Sequence, residues 1–163
     1  MTLFTPFPVV VVPEGSVERI LKAYPNWALL SIRSVDVPLA VHTTGLRLNL
    51  VFDDVTHPSP VANWWTPPSI TDAEKIAEFA RALARTPPSG LVVHCAAGLS
   101  RSTAATVGIG TVLFGSAGEG VSMMRAAVKL AYKRGWRGDK DSFPNELLVE
   151  HLDRALGCTG SMV

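Results

Sequence analysis

The sequence predicts a single α/β domain over residues 1–163, with a central, mainly parallel sheet flanked by helices. Three observations lead there. Short apolar runs bounded by Pro and Gly recur along the chain, and segments with helical spacing separate them. A length of 163 residues suits one domain of ordinary size. Hydrophobic residues make up 47% and charged residues 18%, which argues against disorder and allows an apolar core without staples.

Residues 7–12 read as a buried strand, because a β-rich run lies between Pro6 and Pro13. Ser16 is placed to cap a short helix running to about Tyr24, which Pro25 stops. Residues 27–32 and 46–52 are the next strands. In the second, Leu46, Leu48 and Leu50 alternate with Arg47, Asn49 and Val51, as in a strand with one buried face. Residues 53–69 have neither period. A connection this long is often functional, although a plain surface crossing is the alternative.

Thr71 and Glu74 suggest a capping box for a helix to about Arg85, with Ala73, Ile76, Ala77, Ala80, Leu83 and Ala84 on one face. Pro87, Pro88, Ser89 and Gly90 end that unit. Residues 91–94 form a short apolar strand, and an Ala-rich helix follows over about 101–114. Residues 115–120 read as a turn. Two further helices are expected over 121–134 and 145–156.

The 15 Lys and Arg nearly balance the 14 Asp and Glu, so no general attraction to nucleic acid or an anionic membrane is expected. Two Cys exclude a disulfide-rich scaffold and a four-Cys zinc site. No apolar run reaches the length of a membrane span, and no basic leader precedes residues 7–12. The expected setting is the reducing cytoplasm.

Residues 94–102 read His-Cys-Ala-Ala-Gly-Leu-Ser-Arg-Ser, between a strand and a helix. A loop there can aim successive backbone N–H groups inward, and the helix adds its own free N–H groups and the positive end of its dipole. Ala96, Ala97 and Gly98 leave room for a ligand, while Leu99 and Ser100 complete the loop to Arg101. Arg101 offers a planar fork suited to two oxygens of a phosphate. The same field favours a thiolate nucleophile at Cys95. The bland alternative is a core Cys ending a strand with a solvated Arg after it, which leaves the small-residue loop unexplained.

On these residues the chain resembles the cysteine-based protein tyrosine phosphatases, whose signature is His-Cys, five residues, Arg, then Ser or Thr. His94, Cys95, Arg101 and Ser102 occupy every fixed position. The resemblance implies a phosphotyrosine-phosphatase-like fold and hydrolysis of phosphotyrosine, with phosphoserine and phosphothreonine as further substrates. Cys95 would attack phosphorus while an acid from an upstream loop protonates the leaving oxygen. Phe52-Asp53-Asp54 is similar to the acid loop of small dual-specificity-like members, in which the second acidic residue is the acid. Asp54 is therefore favoured over Asp53, which would cap a turn. Ser102 would hydrogen-bond the Cys95 sulfur, and His94 would brace the loop. That mechanism requires neither metal nor cofactor.

Departures narrow the resemblance. The chain has no Gln, so the Gln-bearing loop of the classical tyrosine-specific members is missing. The loop also lacks the lysines of the phosphoinositide-directed members, which disfavours a highly charged inositol substrate. The expected partner is a phosphorylated protein or small phosphomonoester. Two other readings stand beside it: a phosphoresidue-binding module without turnover, or thiolate chemistry on another oxyanion. His57, Trp64 and Trp65 either line a cleft or anchor their loop. Lys129, Lys133, Arg134, Arg137 and Lys140, with Trp136 among them, read as a solvated helix end, with docking of a phosphosubstrate or nucleic acid as the alternative. Cys158 reads as an incidental thiol or a resolving partner for oxidised Cys95.

Overall fold

The computed structural model describes residues 6–57 and 65–157. Among them are four strands, β1 (Val9–Pro13), β2 (Ala28–Arg33), β3 (Arg47–Val51) and β4 (Leu91–Cys95). Five α-helices accompany them, α1 (Val17–Ala23), α2 (Ile70–Arg85), α3 (Arg101–Phe114), α4 (Ala117–Lys133) and α5 (Glu146–Leu156). The sheet order is β1-β4-β2-β3 and every pairing is parallel.

The apolar strands β1, β4 and β2 are buried on both faces, as parallel strands between helices must be. Their side chains divide with a period of two. Val9, Val11, Ala28, Leu30, Leu91 and Val93 join the larger core beneath α2, α3, α4 and α5. Val10, Val12, Leu29 and Val92 face a smaller cluster built by Val17, Ile20 and Leu21 of α1, with Trp27 and Ala131. Tyr24 stacks on Trp27 with ring centroids 4.5 Å apart, which extends that thinner layer.

Four local expectations are corrected. β3 is an edge strand, so its leucine face is covered only progressively: Leu46 is exposed, Leu48 half-buried and Leu50 buried. The capping box on α2 is Ser69 with Asp72, not Thr71 with Glu74. Ser69 Oγ accepts from the Asp72 N–H at 3.2 Å, and Asp72 Oδ2 accepts from the Ser69 N–H at 2.9 Å. Thr71 falls inside the first turn, since the helix begins directly after the Pro67-Pro68 pair. Ser16 does precede α1, but its hydroxyl donates to the Trp136 carbonyl at 2.6 Å instead of capping.

The expected turn over 115–120 shrinks to Gly115 and Ser116. Gly115 is left-handed (φ 82°), Ser116 caps α4, and the helix starts at Ala117. Gly120 is helical for a packing reason. A Cβ there would lie 2.4 Å from the Val107 carbonyl oxygen and 2.5 Å from Thr111 Oγ1, so glycine lets α4 lie close against α3. No helix among the described residues is long and apolar enough to cross a membrane.

The register brings Pro13 level with Cys95, and Ser31 level with His94. The carboxyl ends of β1, β4 and β2 thus converge where α3 begins, the edge at which parallel α/β sheets place their sites.

Candidate active site

The loop from Cys95 to Arg101 lies at this convergence. A trans peptide points its C=O and the following N–H in opposite directions, and the described chain contains no cis bond. The carbonyls of the loop are tied back one after another. Cys95 O meets His94 Nδ1 at 3.3 Å, and Ala96 O accepts from the Glu14 N–H at 3.2 Å. Gly98 O accepts from Arg137 Nη1 at 3.0 Å, Leu99 O from the Phe143 N–H at 2.8 Å, and Ser100 O from the Asn145 N–H at 3.0 Å. The N–H groups of Ala96, Ala97, Leu99, Ser100 and Arg101 are thereby turned the other way, toward the inside of the loop. Among the described residues, no protein acceptor meets the N–H groups of residues 96–100. Such a set of aligned, unused amides is an anion nest.

Gly98 makes the curl possible. Its φ is +73°, and a Cβ would sit 2.7 Å from the Val12 carbonyl carbon, so both backbone angle and space demand glycine. Arg101 is buried at 6% exposure. Its Nη1 donates to Phe52 O at 2.8 Å and to Ser34 Oγ at 2.9 Å, while its buried Nε has no partner. A buried guanidinium N–H without an acceptor is costly, and an oxyanion held in the nest would supply one. Cys95 is buried at the strand end, with Sγ 3.1 Å from Ser102 Oγ.

His94 is completely buried, with Nε2 2.6 Å from Ser31 Oγ. A carbonyl only accepts, so the contact with Cys95 O assigns the proton to Nδ1, and Nε2 accepts from Ser31. Burial pushes the His94 pKa down to about 4 from its ordinary 6.5. The ring is therefore a neutral brace. As pH falls below 6.5 the unfolded chain takes up a proton that the folded chain refuses down to about 4. The associated stability is present above that window and lost within it, by about 3 kcal/mol over the full shift. Urea unfolding at pH 7 and pH 4.5 is expected to show this loss, and His94→Asn is expected to flatten it. An unchanged slope in the variant would remove His94 as the cause.

The two acidic candidates are separated by their contacts. Asp54 faces the loop: its Oδ1 accepts from Ser100 Oγ at 2.7 Å and from Asn145 Nδ2 at 2.8 Å. Asp53 instead ties its own segment together. Its Oδ2 accepts from the Thr66 N–H at 2.7 Å, and its N–H donates to Thr66 O at 2.6 Å.

Two residues escape the sequence reading. Asn145 is fully buried and serves three elements, since its Oδ1 also caps α5 through the Leu148 N–H at 2.9 Å. An Asn ahead of a helix signals a cap, but nothing in its neighbours signals a contact with residue 54. Arg137 is the second. The expectation of a solvated basic cluster fits Lys129, Lys133, Arg134 and Lys140, which are exposed, and fails for Arg137, which lies beneath the loop. Two of its four carbonyl partners come from β1 and from the loop itself, elements remote in sequence. His57 and Trp65 are exposed, whereas Trp64 and Cys158 lie outside the described residues.

No family model and no curated protein matches the sequence. The structure does have counterparts. Human DUSP28 aligns over 95% of both chains with 12% identity and a TM-score of 0.60. A mouse putative dual specificity phosphatase, solved with zinc tungstate, covers 97% of this chain and 92% of its own, with 16% identity and a TM-score of 0.57. A human tyrosine phosphatase-like serine/threonine/tyrosine-interacting protein shares 19% identity over 93% and 92% of the two chains, with a TM-score of 0.55. The fold is that of the small dual-specificity phosphatases.

Proposed function

We propose that the protein is a cysteine-dependent phosphomonoesterase that removes phosphate from phosphotyrosine, with phosphoserine and phosphothreonine as further candidates. The observation that carries this reading is the pairing of unused loop amides with the orphaned Nε of Arg101, directly beside Cys95. An enzyme of this kind needs a tetrahedral oxyanion receptor, a nucleophile beneath it and an acid at its rim.

In the first step the Cys95 thiolate forms an S–P bond as the ester P–O bond breaks, and the proton of Asp54 passes to the leaving oxygen. The products are a free phenol or alcohol and a phosphocysteine. In the second step Asp54, now a carboxylate, takes a proton from water as its oxygen adds to phosphorus and the S–P bond breaks. Inorganic phosphate leaves, and the returning thiolate accepts a hydrogen bond from Ser102. The Arg101 side chain and the inward-facing amides of Ala96, Ala97, Leu99 and Ser100 hold the equatorial oxygens throughout, with Gly98 making the turn between them. Asp54 Oδ1 is held by Ser100 and Asn145, which leaves Oδ2 to carry the proton. Asp53 and His94 support this arrangement without touching substrate.

The reducing cytoplasm suits such a thiolate. The deciding experiment is hydrolysis of an aryl phosphate by the wild type in the presence of a metal chelator, with tungstate as competitive inhibitor. Steady turnover, followed by assays on phosphotyrosine and phosphoserine peptides, would support the reading and define its range. Tungstate binding without turnover would replace it with a phosphoresidue-binding module.

A further inference from the structure

We infer that Arg137 is a positioning residue for oxyanion binding, a role that rests on the phosphatase reading: its guanidinium clamps the Gly98–Leu99 peptide so that the Leu99 N–H faces the bound anion. Arg137 Nη1 bridges two carbonyls, Val11 O at 3.1 Å and Gly98 O at 3.0 Å. It thus joins the middle of β1 to the one loop residue whose φ is positive. That glycine has the widest conformational freedom in the loop, and without a donor on its carbonyl the 98–99 peptide can rotate. Rotation by half a turn would replace an N–H donor facing the anion with a carbonyl oxygen.

The other end of the fork is anchored with equal completeness. Nε donates to Asp139 O at 2.8 Å, and Nη2 to Asp139 Oδ1 at 3.0 Å and Asp141 O at 2.7 Å. Together these use all five N–H groups of the side chain, in the plane that a guanidinium imposes. The side chain of Arg137 is 2% exposed, so the geometry is not shared with solvent.

Direction matters here more than charge. The Asp139 carboxylate pairs with the guanidinium, and this contact holds its carboxyl below the usual carboxylate range. The pair adds little net field at the loop, whereas the orientation of one amide survives neutralisation. An ammonium in place of the guanidinium keeps the charge but cannot span Val11 O, Gly98 O and the 139–141 turn at once.

The test is tungstate affinity measured by calorimetry, with kcat and KM for an aryl phosphate alongside. Losing one oriented amide is expected to weaken tungstate binding by about tenfold or more in Arg137→Met. Arg137→Lys is expected to be nearly as weak. Leu83→Ala, a core change on α2 remote from the loop, serves as a control that lowers the melting temperature while leaving tungstate affinity unchanged. Affinity in a folded Arg137→Met within about twofold of wild type would overturn the inference. So would full recovery in Arg137→Lys, since charge would then be sufficient. If Arg137→Met does not fold, Asp139→Ala frees one arm of the clamp and is expected to weaken tungstate more modestly; unchanged affinity there would also count against the role. A wild type that fails to bind tungstate strikes the phosphatase reading itself, and the role of Arg137 falls with it.

Discussion

Cys95→Ser is expected to abolish aryl-phosphate hydrolysis while leaving tungstate bound. The two readouts separate because different atoms serve them. The proposed receptor is made of loop amides and Arg101, and the substitution alters none of these. The proposed nucleophile is a sulfur at the carboxyl end of β4, 3.1 Å from Ser102 Oγ. A serine hydroxyl there must lose a proton with a far higher pKa, and no neighbouring base is placed to take it: His94 turns its nitrogens to Ser31 and to the Cys95 carbonyl. By analogy with the loss of other covalent nucleophiles, kcat should fall by on the order of 10⁴-fold or more. Retained turnover in Cys95→Ser would exclude the phosphocysteine pathway.

Asp54→Asn is expected to lower kcat by about 10² to 10⁴-fold, and Asp53→Asn to leave it nearly unchanged. Asp54 faces the loop through Ser100 and Asn145, where a leaving oxygen would emerge. An amide in its place can keep the hydrogen bonds but has no acidic proton to give. The loss should therefore be greatest for substrates with poor leaving groups and shrink for an activated nitrophenyl ester, which departs without protonation. Asp53 only accepts from the Thr66 N–H, and an asparagine oxygen can do the same. Rates measured across a series of substituted phenyl phosphates check both statements. A large defect in Asp53→Asn with a small one in Asp54→Asn would reverse the assignment of the acid.

Much of the loop was legible because its chemistry is consecutive. Residues 94–102 carry the proposed nucleophile, the proposed receptor and a helix start within one strand–loop–helix unit, and the small side chains leave room for a ligand. The apolar strands β1, β4 and β2 were legible for a similar reason, since continuous apolar runs bounded by Pro and Gly have few other homes. Boundaries slipped where tertiary contacts overrode local preference. Gly118 and Gly120 look like a turn in isolation, yet both are helical; Gly120 lets α4 approach α3, whereas a Cβ at Gly118 would meet nothing. Ser69 displaced Thr71 as the cap because the chain enters α2 from the Pro67-Pro68 pair.

Local order along the chain was thus enough to specify an α/β domain and to single out the loop of residues 94–102, with Cys95 and Arg101, as its candidate site. The different contacts of Asp53 and Asp54 were not specified by it, although the family resemblance favours Asp54 as the acid, because neighbours with identical side chains differ only in what lies across from them. Ser100 and Asn145, brought in from α3 and α5, draw Asp54 to the loop, while Thr66 holds Asp53 away from it. Arg137 shows the same limit more sharply. Composition places a cation in a charged stretch on the surface, but four backbone carbonyls and a carboxylate arranged by the fold can hold its charge inside. Periodicity reports which face of an element is buried; only the packed chain brings donors and acceptors from distant elements within bonding distance.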